Sequence, residues 1–68
     1  MKNVIITKTE NIPMLSISYI ERREKFIILY MKTNREIQVD NMDFDRSPER
    51  VVEDFNDFYS ANKELLLD

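Results

Sequence analysis

Lys25-Phe26-Ile27-Ile28-Leu29-Tyr30-Met31-Lys32 sets six consecutive apolar residues between two lysines. A run this short, rich in β-branched and aromatic side chains and bounded by charge, predicts a strand that is apolar on both faces. Both faces then need a cover. Working outward from this strand means asking what each neighbouring segment can place over it.

Upstream, Met14 to Ile20 alternates, with Leu15, Ile17 and Tyr19 on one side and Met14, Ser16, Ser18 and Ile20 on the other. Glu21-Arg22-Arg23-Glu24 reads as a charged hairpin tip. A four-residue loop there pairs Tyr19 with Phe26, Ile17 with Ile28 and Leu15 with Tyr30, apolar against apolar. A two-residue loop gives the same register, but the tip lacks the Asn-Gly type pairs that such turns favour. Downstream, a turn at Thr33-Asn34 brings Ile37 opposite Tyr30 and Val39 opposite Ile28. The expected core face is therefore Leu15, Ile17, Tyr19, Phe26, Ile28, Tyr30, Ile37 and Val39.

Asn3–Lys8 is β-prone, Thr9-Glu10-Asn11 is a polar break, and Pro13 stands at the start of the next strand, where its missing N–H is tolerated. After the polar connection Asp40–Arg46, Ser47-Pro48-Glu49 is a helix start: an N-cap hydroxyl, a proline where no donor is needed, and a carboxylate at the positive end of the dipole. From there Val51, Val52, Phe55, Phe58, Tyr59, Asn62, Leu65 and Leu66 fall on one stripe at helical spacing. The expected fold is α+β, one domain over 1–68. Its antiparallel sheet of three to four strands (about 3–8, 13–20, 25–32 and 35–40) precedes one C-terminal amphipathic helix (about 48–66) packed on the core face.

A chain of 68 residues buries only about 60% of the surface its unfolded form exposes, so its core is marginal without help. Disulfides cannot supply that help, because there is no cysteine. With no histidine or glycine either, the usual zinc and haem ligand sets, the commonest general base and the glycine-rich phosphate loops are all missing. Asp43-Phe44-Asp45-Arg46-Ser47 begins like a calcium loop, but Pro48 stands where that loop needs glycine and Asp54 where it needs glutamate. Ser16 and Ser18 have no histidine to activate them. No catalytic, cofactor-binding or metal-binding residues are expected, and the chain is read as a non-enzyme.

The opening residues are too weakly apolar for a signal peptide, and no stretch approaches the roughly 20 apolar residues a membrane helix needs. A cytoplasmic protein with no membrane partner is the expectation. The net charge of −3 is uneven, with +3 over residues 1–33 and −6 over residues 34–68. Acidity therefore belongs to the helical half.

Three surfaces are candidates for binding. The second sheet face, with Met14, Ile27, Leu29 and Met31 edged by Ser16, Ser18, Glu36 and Gln38, reads as the interface of a homodimer. Alternatively, Asn3–Lys8 or the Met42–Phe44 loop folds over it. The outer helix face, with Glu49, Glu53, Asp54, Asp57 and Glu64, reads as an acidic surface for a basic partner protein, or as an ordinary solvated face. The tip residues Arg22, Arg23 and Lys25 are the candidate nucleic-acid contact, although the expected register buries Tyr19 and Tyr30 where they cannot stack on bases.

Several antiparallel strands followed by one helix with proline at its start is a layout similar to that of the small coactivator-type single-stranded-DNA-binding dimers. Those proteins use a basic, aromatic-bearing sheet, from which this acidic chain departs. The leading reading is a protein-interaction module, a small acidic inhibitor or adaptor of a nucleic-acid-binding protein of the kind phages and other mobile elements encode. DNA mimicry is its extreme form, limited because carboxylates at i, i+4 lie about 6 Å apart while duplex DNA carries a charge every roughly 1.7 Å. The alternative is a weak single-stranded nucleic-acid-binding dimer.

Overall fold

The computed structural model describes residues 3–63. Two antiparallel sheets precede one helix, which gives an α+β fold. Strands β1 (Val4–Ile6) and β2 (Asn11–Pro13) form a hairpin that places Ile5 opposite Ile12. Its turn contains no glycine. The Thr7 hydroxyl closes it instead, donating to the Glu10 carbonyl at 2.9 Å and accepting from the Thr9 and Glu10 N–H groups at 3.3 and 3.1 Å.

The expected strand over 13–20 is interrupted. Pro13, at φ −63°, starts a single 3₁₀ turn over Met14–Ser16, and the Ser16 hydroxyl donates back to the Pro13 carbonyl at 2.6 Å. This turn buries Met14 and leaves Leu15 half exposed. Strand β3 (Ile17–Arg22) then pairs with β4 (Phe26–Met31), and β4 with β5 (Glu36–Asp40), in the order β3-β4-β5.

Both hairpin registers differ from the sequence expectation, for identifiable reasons. At the first, β3 runs on through Arg22 and the chain reverses over Glu24-Lys25, with the Arg23 N–H on the Phe26 carbonyl at 2.8 Å. Tyr19 therefore faces Tyr30 rather than Phe26, and an irregularity between Ile17 and Tyr19 sets Ile17 opposite Met31. At the second hairpin the loop has three residues, Lys32–Asn34. Asn34 takes φ 69°, the Met31 carbonyl accepts from its N–H at 3.0 Å, and the Met31 N–H donates to the Arg35 carbonyl at 2.8 Å. Asparagine is one of the few residues that tolerates this left-handed geometry. The extra loop residue moves β5 by one position, so Ile37 pairs with Leu29 and Val39 with Ile27.

A one-residue slip exchanges the faces of a strand. Ile17, Ile27, Leu29 and Val39 lie in one buried cluster with Ile5, Ile12, Met14, Phe44, Val51 and Phe55, and Ile20, Met31 and Ile37 pack against it. The helix α1 (Pro48–Ala61) therefore covers the Ile27–Leu29 face, not the Phe26–Ile28–Tyr30 face. The N-terminal hairpin and Phe44 complete that cover. Phe44 is carried there by the 3₁₀ turn Asn41–Asp43 and held by a bridge to Thr7 and by the Asp45 N–H on the Ile6 carbonyl at 3.1 Å.

The helix start is as expected. Ser47 Oγ accepts from the Arg50 N–H at 3.2 Å, Pro48 opens the first turn, and Glu49 follows. Val51 and Phe55 are buried, with Val52 and Phe58 beside them. At the far end the Asn62 backbone and side-chain N–H groups both donate to the Phe58 carbonyl, at 3.0 and 2.9 Å. The expected continuation to residue 66, with Leu65 and Leu66, lies outside the described residues.

Candidate functional site

With α1 and the hairpin on one side, the alternation of the strands turns a second face of β3-β4-β5 away from them, and no described element covers it. The registers arrange it as three rows across the sheet: Tyr19, Tyr30 and Glu36; then Glu21, Ile28 and Gln38; then Arg23, Phe26 and Asp40. The central strand forms an apolar spine, and β5 contributes only polar side chains. Tyr19 is 55% exposed, while Phe26, Ile28 and Tyr30 are half-buried by their neighbours.

The tyrosine pair is held by contacts with its surroundings. The rings stack with centroids 4.4 Å apart and planes 15° from parallel, an arrangement aromatic pairs favour when offset. The Tyr30 hydroxyl donates to Glu21 Oε1 at 2.8 Å, and Arg23 Nη2 meets Glu21 Oε2 at 2.8 Å. That hydrogen bond, with lesser help from burial and nearby negative charge, pushes the Tyr30 phenol up to about 12. Glu36 and Asp40 are exposed and take part in no ion pair among the described residues.

The residues expected at a dimer interface are placed differently. Met14, Ile27 and Leu29 are completely buried and Met31 packs against the same cluster, so they form the core of a single chain. The alternative weighed for that face is what the structure contains, since Ile5 and Phe44 belong to the two segments named as its covers.

The acidic helix face is thinner than expected. Glu49, Glu53 and Asp57 are exposed, but Asp54 is 7% exposed and turns inward. It accepts from Arg46 Nη1 at 2.8 Å and from Arg50 Nε at 3.0 Å, while Arg46 also holds Asp45 at 2.7 Å and reaches the Val4 carbonyl at 3.5 Å. Burial would push the Asp54 carboxyl up, but the hydrogen bonds from Arg50 and Arg46 outweigh it and hold the group below the usual carboxylate range. Hydrogen bonding from Arg46 likewise lowers Asp45, a member of the calcium-loop-like run. Glu49 is paired with Arg22 at 2.9 Å. Its carboxyl is lowered by its own backbone N–H at the helix start and then by that arginine. Glu64 lies outside the described residues.

At the basic tip, Arg22 is engaged by Glu49 and Arg23 by Glu21, and Lys25 is exposed without an ion pair among the described residues. An open cleft of about 360 Å³ beside it is lined by Glu24, Lys25, Asp40, Asn41 and Met42. Asn41 donates to the Glu24 carbonyl there at 3.0 Å, and its Oδ1 is buried without a protein partner. A second cleft, about 260 Å³, lies along the helix by Arg50, Asp54, Asp57 and Phe58. Among the described residues no three acidic side chains gather into a metal-binding group, and no helix is long and apolar enough to cross a membrane.

The exposed aromatic face was missed because β4 is apolar on both sides, so its own pattern gives no preference. Asn34 was the available signal, as the residue of that turn best able to take a left-handed conformation and lengthen the loop. Comparison with known proteins found no matching family model, no matching curated protein and no matching solved structure.

Proposed function

We propose that this chain is a non-enzymatic protein-interaction module, a small acidic inhibitor or adaptor whose partner carries a basic surface, and that the partner docks on the open face of β3-β4-β5. The observation that carries this reading is the Tyr19–Tyr30 stack on a face that no described element covers. Stacked tyrosines lose little side-chain freedom on binding, and aromatic residues are enriched in the centres of interfaces. Around them, Glu36 and Asp40, without an ion pair among the described residues, set the sign of the partner's charge. The helix is the weaker candidate, because Asp54 is inside and Glu49 is already matched by Arg22. The same loss thins the charge available for DNA mimicry.

Self-association on the open face is disfavoured by that same acidic rim, which two copies would bring together. Nucleic acid is the second reading, favoured by one observation, the exposure of Tyr19. Glu36 beside the tyrosine pair opposes phosphate, and Arg23 and Glu21 neutralise each other. The test is capture of a partner on the tagged chain followed by hydrogen–deuterium exchange on the complex. Protection centred on Ile28 and Tyr30 supports the reading; protection confined to the outer helix around Glu53 and Asp57 overturns it. Saturable, salt-sensitive binding of a single-stranded oligonucleotide favours the second reading instead.

A further inference from the structure

Building on the open face as the docking surface, we infer that the partner contributes an extended segment that adds to the sheet alongside β5, with lysine or arginine side chains facing Glu36 and Asp40. β5 pairs with β4 over five consecutive positions with no bulge and no proline, and no described strand lies on its other side. The bonds from Met31 N to the Arg35 carbonyl and from Asn41 N to the Lys25 carbonyl fix the phase of the ladder. By the two-residue period of antiparallel pairing, Ile37 and Val39 direct their backbone groups to β4. Glu36 and Gln38 direct theirs outward. Such an edge is a template for another strand, and natural proteins blunt it with proline, a bulge or charged side chains, so that only a strand of opposite charge is accepted here. Here the side chains on it are Glu36, Gln38 and Asp40.

Charge selects the occupant. Opposite charges on facing cross-strand positions stabilise a pair, and like charges destabilise it. A second copy of β5, paired antiparallel about Gln38, would set Glu36 against Asp40 twice, which disfavours this chain as its own partner. A basic segment reverses both contacts. Glu36 and Asp40 are four residues apart, about 13 Å along a strand, so the matching segment carries basic residues at i and i+4. Between them it needs a polar residue beside Gln38 and apolar residues where it meets the half-buried Ile37 and buried Val39. Backbone bonds supply the docking, and the two cations supply the specificity.

The probe is a short synthetic peptide with the core Lys-Val-Thr-Val-Lys, titrated into the isotope-labelled full chain and followed by NMR. Saturable shifts, with new exchange protection at the Glu36 and Gln38 amides, are expected. Glu36→Lys with Asp40→Lys should weaken binding by about tenfold or more, from two cross-strand pairs turned from attractive to repulsive. A peptide with glutamates in place of the lysines should then bind that variant better than it binds the natural chain. No saturable shift at millimolar peptide overturns the inference. So does protection of those amides in the chain alone as its concentration rises, which assigns the edge to a second copy. Shifts at Tyr19 and Ile28 without protection along β5 overturn strand addition but leave the open face as the docking surface. A partner footprint on the outer helix is the separate failure of the docking reading itself.

Discussion

Tyr19 lies across the β3–β4 ladder from Tyr30 and stacks on it with ring centroids 4.4 Å apart, and the Tyr30 hydroxyl is anchored to Glu21 on the neighbouring strand at 2.8 Å. One ring face of each tyrosine is thus satisfied by the other, and the polar end of Tyr30 is fixed. What remains exposed is mainly Tyr19, on a base of three antiparallel strands.

This arrangement predicts that one of the three tyrosines titrates near pH 12 rather than at the ordinary value of 10.0. Glu21→Gln removes the carboxylate that favours the protonated phenol and should return Tyr30 toward that ordinary value. Ultraviolet titration of the variant and the natural chain checks it. Unchanged curves would mean that the Tyr30–Glu21 bond does not persist in solution.

Acid should destabilise the fold through Asp54. Its folded-state carboxyl is held below its ordinary value, so its contribution is fully present above the usual carboxylate range and is lost as pH falls toward the folded value. Asp54→Asn should cost about 1.5–3 kcal/mol near neutrality, as for lost hydrogen bonds to a charged group. It should also flatten the acid limb of the stability curve. Urea melts from about pH 2 to about pH 6, a span that brackets the ordinary carboxylate values and the lower range into which Asp54 is shifted, measure both effects.

In the core, Phe55→Ala should cost about 3–5 kcal/mol and Leu29→Ala about 2–5 kcal/mol. Asp57→Ala on the exposed side of α1 should stay within about 0.5 kcal/mol of the natural chain. Leu29→Glu should unfold the isolated chain, since the side chain it replaces is fully buried without any partner. Circular dichroism melts separate these outcomes from a merely dissociated dimer, which would retain its helix.

The elements were legible in the sequence because their signals are local. Ser47-Pro48-Glu49 sets the helix start, the Val51–Phe55–Phe58 spacing sets its buried side, and the β4 run announces itself. The partition of β4 between two faces was not legible, because Ile27 and Leu29 are as apolar as Phe26, Ile28 and Tyr30. It is decided by a loop of three residues instead of two, by the 3₁₀ turn after Pro13 and by the irregularity before Tyr19. The extra loop residue and the irregularity each shift the pairing by one position, the displaced tip turn shifts β3 against β4 by four, and periodicity carries no record of such steps. Asp54 was misplaced for a related reason. At the edge of the acidic arc, its burial depends on Arg46 from the preceding connection, whose approach no helix pattern reveals.

The most direct test of the docking surface compares two double variants against the same captured partner by calorimetry. Tyr19→Ser with Ile28→Ser alters the open sheet face, and Glu53→Lys with Asp57→Lys reverses charge on the outer helix. Both should keep the native circular dichroism spectrum, since none of these side chains belongs to the buried cluster. The account predicts that the sheet variant loses binding while the helix variant retains affinity within about threefold, the small effect expected of charges outside a contact surface. Full affinity in the sheet variant together with lost binding in the helix variant would contradict it.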